Sequence, residues 1–167
     1  VAAKALVEAR FGPVSILVNN AGIGPDLNMI DAIPEEHFDR LIAVKLTGTY
    51  NGIRTFVPAM RAAGAGHIVN TASMAGLIAS AKLGAYTASK FAVVGLSEVL
   101  RAELADDGIG VSVLCPGLVS TNLSAGSERA PGKANTIVIV RSAAQRIALH
   151  VDEVLGNQEV VVKNLGP

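Results

Sequence analysis

Three short apolar runs, separated by long amphipathic stretches, constrain the fold of this chain more than any other feature of its sequence. The runs lie at residues 14–18, 67–71 and 111–115, and each is rich in β-branched side chains and of strand length. Between them the apolar residues recur at helical spacing, and Gly and Pro punctuate the ends of each stretch. This strand–helix alternation is typical of a parallel sheet covered by helices, so the sequence predicts an α/β fold.

The connections predict how the helices lie on that sheet. We expect one helix near 34–62 and another near 84–106, both on the same face, because successive right-handed crossovers running in one direction place their helices on one side. The run at 14–18 is apolar on both faces, which favours a buried strand over an edge strand. Further strands are predicted at 136–140 and 160–162, and we expect the first of these to cover an open sheet edge. Residues 145–155 fit a strand or a helix equally well.

Composition excludes several classes of protein. The 14 basic residues balance the 14 acidic ones, so no electrostatic signal for nucleic acid is visible. No apolar run reaches the roughly 18 residues that a membrane span needs. The only cysteine, Cys115, excludes an internal disulfide and fits a reducing, cytoplasmic setting, and no metal site is predicted. The chain opens in a helical pattern without a leader, and we therefore expect it to start inside a longer protein.

Two loops of small residues follow the first and third predicted strands, where open α/β sheets place their ligands. Residues 19–22 read Asn-Asn-Ala-Gly, a stretch that lets a flat ring approach the backbone. Residues 116–121 begin with Pro-Gly, and that turn exposes backbone amide and carbonyl groups that suit a carboxamide. Each loop taken alone also fits an ordinary turn.

A third cluster carries candidate acid–base chemistry. Tyr86 and Lys90 are four residues apart on a predicted helix and therefore lie on one face. A lysine ammonium near a phenol stabilises the phenolate, which suits proton exchange, although such a pair is often only a surface contact. Ser73 lies thirteen positions upstream, just after a predicted strand, and its hydroxyl is placed to bind the same substrate oxygen.

Together and in this order, the stretches at 17–22, 68–73, 86–90 and 115–117 resemble the short-chain dehydrogenase/reductase family over about residues 1–128. The resemblance implies a three-layer, doubly wound, Rossmann-like sheet and hydride transfer between NAD or NADP and an alcohol or ketone. It implies that Ser73 polarises the carbonyl, that Tyr86 exchanges the proton, and that Lys90 supports Tyr86 and holds the nicotinamide ribose. The remaining residues implied to border the cofactor are Asn19, Ala21, Gly22, Pro116, Gly117, Val119 and Thr121.

Two departures from the family pattern change what the resemblance implies. Lys45 stands where the family usually has an asparagine that anchors a proton-relay water, and a charged lysine is only a donor. No glycine-rich strand–turn–helix precedes Asn19, so we expect a partial fold without its first βαβαβ half. The open apolar sheet edge then predicts a homo-oligomer, and catalysis is expected to be feeble unless that half is supplied.

The tail, residues 129–167, forms a second predicted region. Residues from about 135 onward resemble part of the regulatory coupling domain of bacterial chemotaxis histidine kinases, and an ordinary divergent extension is the alternative. Two other functions stay open: a truncated or chimaeric fragment that acts only by association, and a hydrolase that uses Ser73. The hydrolase lacks a Gly-x-Ser-x-Gly elbow, and the sequence places no histidine beside Ser73. His67 is expected to point to solvent or to cap a helix.

Overall fold

The computed structural model describes residues 2–117, Leu123 and three strand segments at 136–141, 146–151 and 161–163. Packing divides the chain into two compact units. One unit comprises Val1–Pro116 with Val160–Pro167, and the other comprises Gly117–Glu159. The predicted boundary at residues 128–129 lies outside the described residues.

A four-stranded sheet forms the centre of the first unit, in the order β1-β2-β3-β6. Strands β1 (Ile16–Asn19), β2 (Gly66–Thr71) and β3 (Ile109–Cys115) are parallel, and β6 (Val161–Lys163) runs antiparallel to β3. The α/β class and the parallel arrangement of the three apolar runs are therefore confirmed.

In the described part of the chain, α1 (Ala2–Phe11) precedes β1. Helices α2 (Glu35–Ile42) and α3 (Gly48–Ala63) connect β1 to β2, and α4 (Gly84–Glu103) connects β2 to β3. The prediction of one uninterrupted helix near 34–62 is wrong, because a π-helical turn at Ala43–Thr47 separates α2 from α3. There the Gly48 amide bonds to the carbonyl of Ala43, five residues back, which inserts one extra residue into the turn. In the described part of the chain, no helix combines the length and apolarity that crossing a bilayer requires.

Helices α3 and α4 pack against the same face of the sheet, as the crossover argument predicts. Val57 and Met60 of α3 and Leu104, which follows α4, belong to one buried cluster with Ile68 of β2 and Val111 of β3. Burying each large aliphatic side chain contributes about 1.5–3 kcal/mol, so this shared cluster fixes both helices on the strands. The carboxyl ends of the strands are positioned by this packing.

The first strand is less enclosed than its sequence suggests. Among the described residues β1 pairs only with β2, and Ile16 and Val18 are 39% and 37% exposed. The expectation of a strand buried on both faces is thus wrong for the described sheet. A β-branched run reports the propensity to form a strand, whereas burial depends on which neighbours pack against it.

The tail strands pair differently from the prediction. Strand β4 (Thr136–Arg141) pairs antiparallel with β5 (Arg146–Val151) in a separate two-stranded sheet, so the expectation that it covers the main sheet edge is wrong. The physical reason is proximity: four residues join the two strands, and a short loop costs little closure entropy. The segment that fitted strand or helix equally contains β5, and β6 is the strand that extends the main sheet.

Candidate active site

The carboxyl ends of the three parallel strands lie at one edge of the sheet. Asn19 of β1 is in register with Asn70 of β2, and Thr71 of β2 with Leu114 of β3. The pairing continues past β2, because the Met74 amide donates to the carbonyl of Pro116 at 2.9 Å. The loops predicted to carry chemistry therefore begin at a common edge, where α/β sheets place their ligands.

A buried hydrogen-bond chain fixes the end of β1. The side-chain amide of Asn19 donates to Oδ1 of Asn70 at 2.8 Å, and the side-chain amide of Asn70 donates to the Ser97 hydroxyl at 2.9 Å. Ser97 in turn donates to the Val93 carbonyl within α4 at 2.6 Å. Sequence reasoning assigned no role to Asn70 or Ser97. The signal in the sequence was an asparagine inside an apolar strand, because a buried amide needs partners.

Gly52 of α3 leaves the space that the Asn19 amide occupies, since a Cβ at position 52 would collide with Asn19 Oδ1. We expect Gly52→Ala to lower the free energy of unfolding by about 1–3 kcal/mol, as overpacking usually does. The matched control is Gly95→Ala in α4, where a Cβ meets nothing within 4 Å. That control should gain about 0.5–1 kcal/mol from helix propensity. Urea unfolding of both variants measures the difference, and equal effects would refute the steric argument.

Ser73 follows β2 in extended backbone and begins a short 3₁₀ turn, Met74–Gly76. Its hydroxyl accepts from the Ala75 amide at 3.2 Å and lies 3.5 Å from the Pro116 carbonyl. Gly76 brings this turn against α4, because a Cβ there would lie 2.7 Å from the carbonyl oxygen of Lys90. The turn after Ser73 and the backbone of Lys90 are thus in direct contact.

Tyr86 and Lys90 occupy the first turns of α4 and share a face, as their spacing predicts. The Lys90 ammonium lies 5.8 Å from the centre of the Tyr86 ring and donates to the Thr71 carbonyl at 2.7 Å. Lys90 is buried and Tyr86 half-buried. The structure therefore brings Tyr86 and Lys90 together beside the end of β2. The predicted approach of the Ser73 hydroxyl to the Tyr86 hydroxyl stays a prediction.

Lys45 enters the same site from the π turn. Its ammonium lies 4.0 Å from the centre of the Tyr86 ring, closer than that of Lys90. The side chain is 1% exposed, and its Nζ has no hydrogen-bond partner in the described part of the chain. The Thr49 hydroxyl donates to the Lys45 carbonyl at 2.8 Å, which anchors the turn that directs the lysine inward. Sequence reasoning singled out Lys45 as a departure but not its position over the ring.

Burial changes the charge on both lysines. Desolvation, reinforced by the nearby charge of Lys90, lowers the pKa of Lys45 to about 7. Desolvation likewise lowers the pKa of Lys90 to about 8. The lowered pKa means that Lys45 holds its proton less tightly near neutral pH than an exposed lysine does. A neutral amine carries a lone pair and can accept a hydrogen bond as well as donate one.

The other predicted site residues fall at the same sheet edge or outside the described part. Ala21 is exposed and Gly22 half-buried in the loop after β1, and Pro116 and Gly117 follow β3 directly. Val119 and Thr121 lie outside the described residues. His67 does not cap a helix or simply face solvent: it is half-buried, and its Nε2 lies 2.9 Å from the Ser112 hydroxyl, while burial lowers its pKa.

A separate cavity of about 300 Å³ lies between the loop after β1 and helix α2. Ser73, Tyr86 and Lys90 do not line it. Its walls come from part of the loop after β1, together with α2. The lining residues are Ile23, Gly24, Pro25, Asp26, His37, Arg40 and Leu41.

The fold and the site define an α/β protein with polar side chains gathered beyond the carboxyl ends of its parallel strands, and comparison with known proteins gives its family. The sequence profile of short chain dehydrogenases matches residues 1–132. A D-beta-hydroxybutyrate dehydrogenase from Rhizobium meliloti (strain 1021) is 43% identical over 119 residues, which cover 71% of this chain and 46% of that protein. The chain belongs to the short chain dehydrogenase family.

Solved structures agree with this assignment. A putative short-chain dehydrogenase from Novosphingobium aromaticivorans is 51% identical with a TM-score of 0.68, covering 71% of this chain and 46% of that one. A gluconate 5-dehydrogenase from Burkholderia cenocepacia J2315, crystallised with NADP and tartrate, is 35% identical with a TM-score of 0.71, covering 75% and 49%. The chain thus spans about half the length of these relatives.

Proposed function

We propose that the protein is an NAD(P)-dependent oxidoreductase that transfers a hydride between a nicotinamide cofactor and the carbon of an alcohol or ketone. The observation that carries the proposal is the grouping of Tyr86 with Lys90 beside the end of β2, where the Lys90 ammonium lies 5.8 Å from the centre of the phenol ring. Family membership supports the reaction class, and the relative crystallised with NADP supports the kind of cofactor.

The residues present fit the nicotinamide end of such a cofactor. Lys90 is buried with one ammonium hydrogen bonded to Thr71, and an ammonium has further hydrogens for ribose hydroxyls. The half-buried Gly22, in the loop after β1, lacks the side chain that would keep a flat ring from the backbone. We assign the remaining predicted cofactor-binding residues to the same end of the cofactor as proposals: Asn19, Ala21, Gly22, Pro116, Gly117, Val119 and Thr121.

Each proposed catalytic residue has a distinct task. When bound, a nicotinamide cofactor supplies or accepts the hydride. In ketone reduction the Tyr86 hydroxyl donates its proton to the carbonyl oxygen as the alcohol forms, and in oxidation the phenolate takes that proton back. The Lys90 ammonium stabilises the phenolate, and the Ser73 hydroxyl donates a hydrogen bond to the same substrate oxygen.

Several further predictions stay proposals. The choice between NAD and NADP is open, and the substrate is proposed only as a small alcohol or ketone. We retain a cytoplasmic location from the single cysteine, and a homo-oligomer from exposed apolar side chains such as Phe91 and Val99 on α4. The resemblance of the tail to a chemotaxis coupling domain stays a prediction.

The test is turnover by the full-length protein with NADH and NADPH across a panel of ketones, and with the oxidised cofactors across alcohols. Ser73→Ala is expected to lower kcat by about 10²-fold or more, because one donor to the developing oxyanion is lost. Absence of cofactor-dependent turnover across both panels would refute the proposal. Ester cleavage that is lost in Ser73→Ala but survives Tyr86→Phe would favour the hydrolase instead.

A further inference from the structure

Lys45 is a buried lysine to which the proposed mechanism assigns no role. Its side chain is 1% exposed, and its Nζ lies 4.0 Å from the centre of the Tyr86 ring. An ammonium over an aromatic face within about 6 Å is attracted by the ring quadrupole, more strongly when it is desolvated. The Tyr86 ring is the one group found to attract this Nζ within residues 2–117.

We propose that Lys45 is a positioning residue of the candidate active site, whose amino group holds the Tyr86 ring when protonated and releases it when neutral. This inference rests on the proposed role of Tyr86 as the proton donor. The ring carries the reacting hydroxyl, so the orientation of the ring decides how well that hydroxyl meets a substrate oxygen. Lys45 acts on the reaction only through Tyr86.

Within residues 2–117, the charge found to act on Lys45 is that of Lys90. Lys90 of α4 lies beside the same ring, and the two ammonium groups repel each other. No carboxylate within residues 2–117 forms an ion pair with Lys45. The charged and titratable residues of α2 and α3, the two helices that flank the π turn, are exposed to solvent: Glu35, Glu36, His37, Asp39, Arg40, Tyr50, Arg54 and Arg61.

The contact therefore depends on pH in a defined direction. Burial and the charge of Lys90 lower the pKa of Lys45 to about 7. Below that pH the ammonium forms and the cation–π contact is present, whereas above it the neutral amine loses the electrostatic attraction to the ring. Physiological pH lies close to this midpoint, so small changes in pH alter the fraction of molecules with the ring held.

The tyrosines make the contact directly observable. The chain has no tryptophan and only two tyrosines, so Tyr50→Phe leaves Tyr86 as the single tyrosine. With ¹³C-labelled tyrosine in the full chain, we expect the Tyr86 ring signals to shift with a midpoint near pH 7. With ¹³Cε-labelled lysine, the Lys45 signal should show the same midpoint.

Three further variants in the Tyr50→Phe background identify the group responsible. Lys45→Met should abolish the step near pH 7 and leave any step near pH 8 that Lys90 produces. Lys45→Arg keeps a permanent cation and should hold the ring signals at their low-pH position throughout. Lys4→Met, remote from the ring on α1, is the control and should leave the step unchanged. Circular dichroism checks that each variant is folded.

The outcomes separate this inference from the proposed function. A step near pH 7 that persists in Lys45→Met would show that another group produces it and overturn the inference, as would a Lys45 signal that titrates near its ordinary 10.5. The spectra need neither cofactor nor substrate, so they decide the inference even where the full-length protein shows no turnover. Where turnover is found, Lys45→Met should remove the inflection near pH 7 from the kcat profile while KM changes little.

Discussion

Replacing Tyr86 with phenylalanine is expected to lower kcat of the full-length protein about 10²- to 10⁴-fold. The change removes only the hydroxyl that the proposed mechanism uses to exchange a proton with the substrate, and a positioned acid–base group contributes a factor of this size. The ring itself stays, so its contacts with Lys45 and Lys90 are kept. We therefore expect the fold and the KM to change little, and steady-state kinetics with NADH or NADPH measures the effect.

Tyr50→Phe is the matched control for this experiment. Tyr50 is an exposed tyrosine of α3, beside Arg54, and loses the same hydroxyl without touching the candidate site. Its kcat should equal that of the unchanged protein. Tyr86→Phe with undiminished turnover would remove Tyr86 from the mechanism, whereas an equal loss in both variants would indicate a structural effect of losing a phenol.

The order of the fold could be predicted from the sequence because short-range patterns determine it. Three β-branched runs with long helical connections define parallel strands, and the handedness of the crossovers places α3 and α4 on one face. The partners of the tail strands could not be predicted in this way. Strand β4 pairs with β5 rather than with the main sheet, and a β-branched run indicates that a strand forms but does not determine which strand it pairs with.

The candidate site could likewise be predicted from the sequence only in part. The i, i+4 spacing alone fixes Tyr86 and Lys90 on one helical face. The place of Lys45 depends instead on the π turn at Ala43–Thr47, which shifts the helical phase by one residue. Nothing in the apolar periodicity marks that turn. The buried role of Asn70 similarly depends on side chains from β1 and α4 that meet it only in three dimensions.

Lys45→Met is expected to stabilise the protein, by about 1–4 kcal/mol near pH 6. Methionine has a similar length, fills the same space and carries no charge, and replacing buried charged groups with apolar ones often gains stability of this order. Lys45 is 1% exposed and lacks a hydrogen-bond partner in residues 2–117, so the folded state bears the desolvation of its ammonium with only ring contacts in return. Urea unfolding at several pH values measures the gain.

The pH dependence of this gain in stability follows from the different pKa of Lys45 in the folded and the unfolded state. Below about pH 7 Lys45 is protonated in both states, so the folded protein carries the full cost of the buried charge. Between pH 7 and 10.5 the unfolded chain keeps the proton that the folded state has released, so the unchanged protein becomes more stable as pH rises. The stability advantage of Lys45→Met should therefore shrink across that range, while the control Lys4→Met, in α1, shows no such trend.

A Lys45→Met variant that is less stable than the unchanged protein at pH 6, or whose stability advantage is constant with pH, would contradict a buried lysine that titrates. The Lys45 charge opposes folding, yet it lies against the ring of the proposed proton donor. A residue that serves function at the expense of stability is expected to combine these two properties.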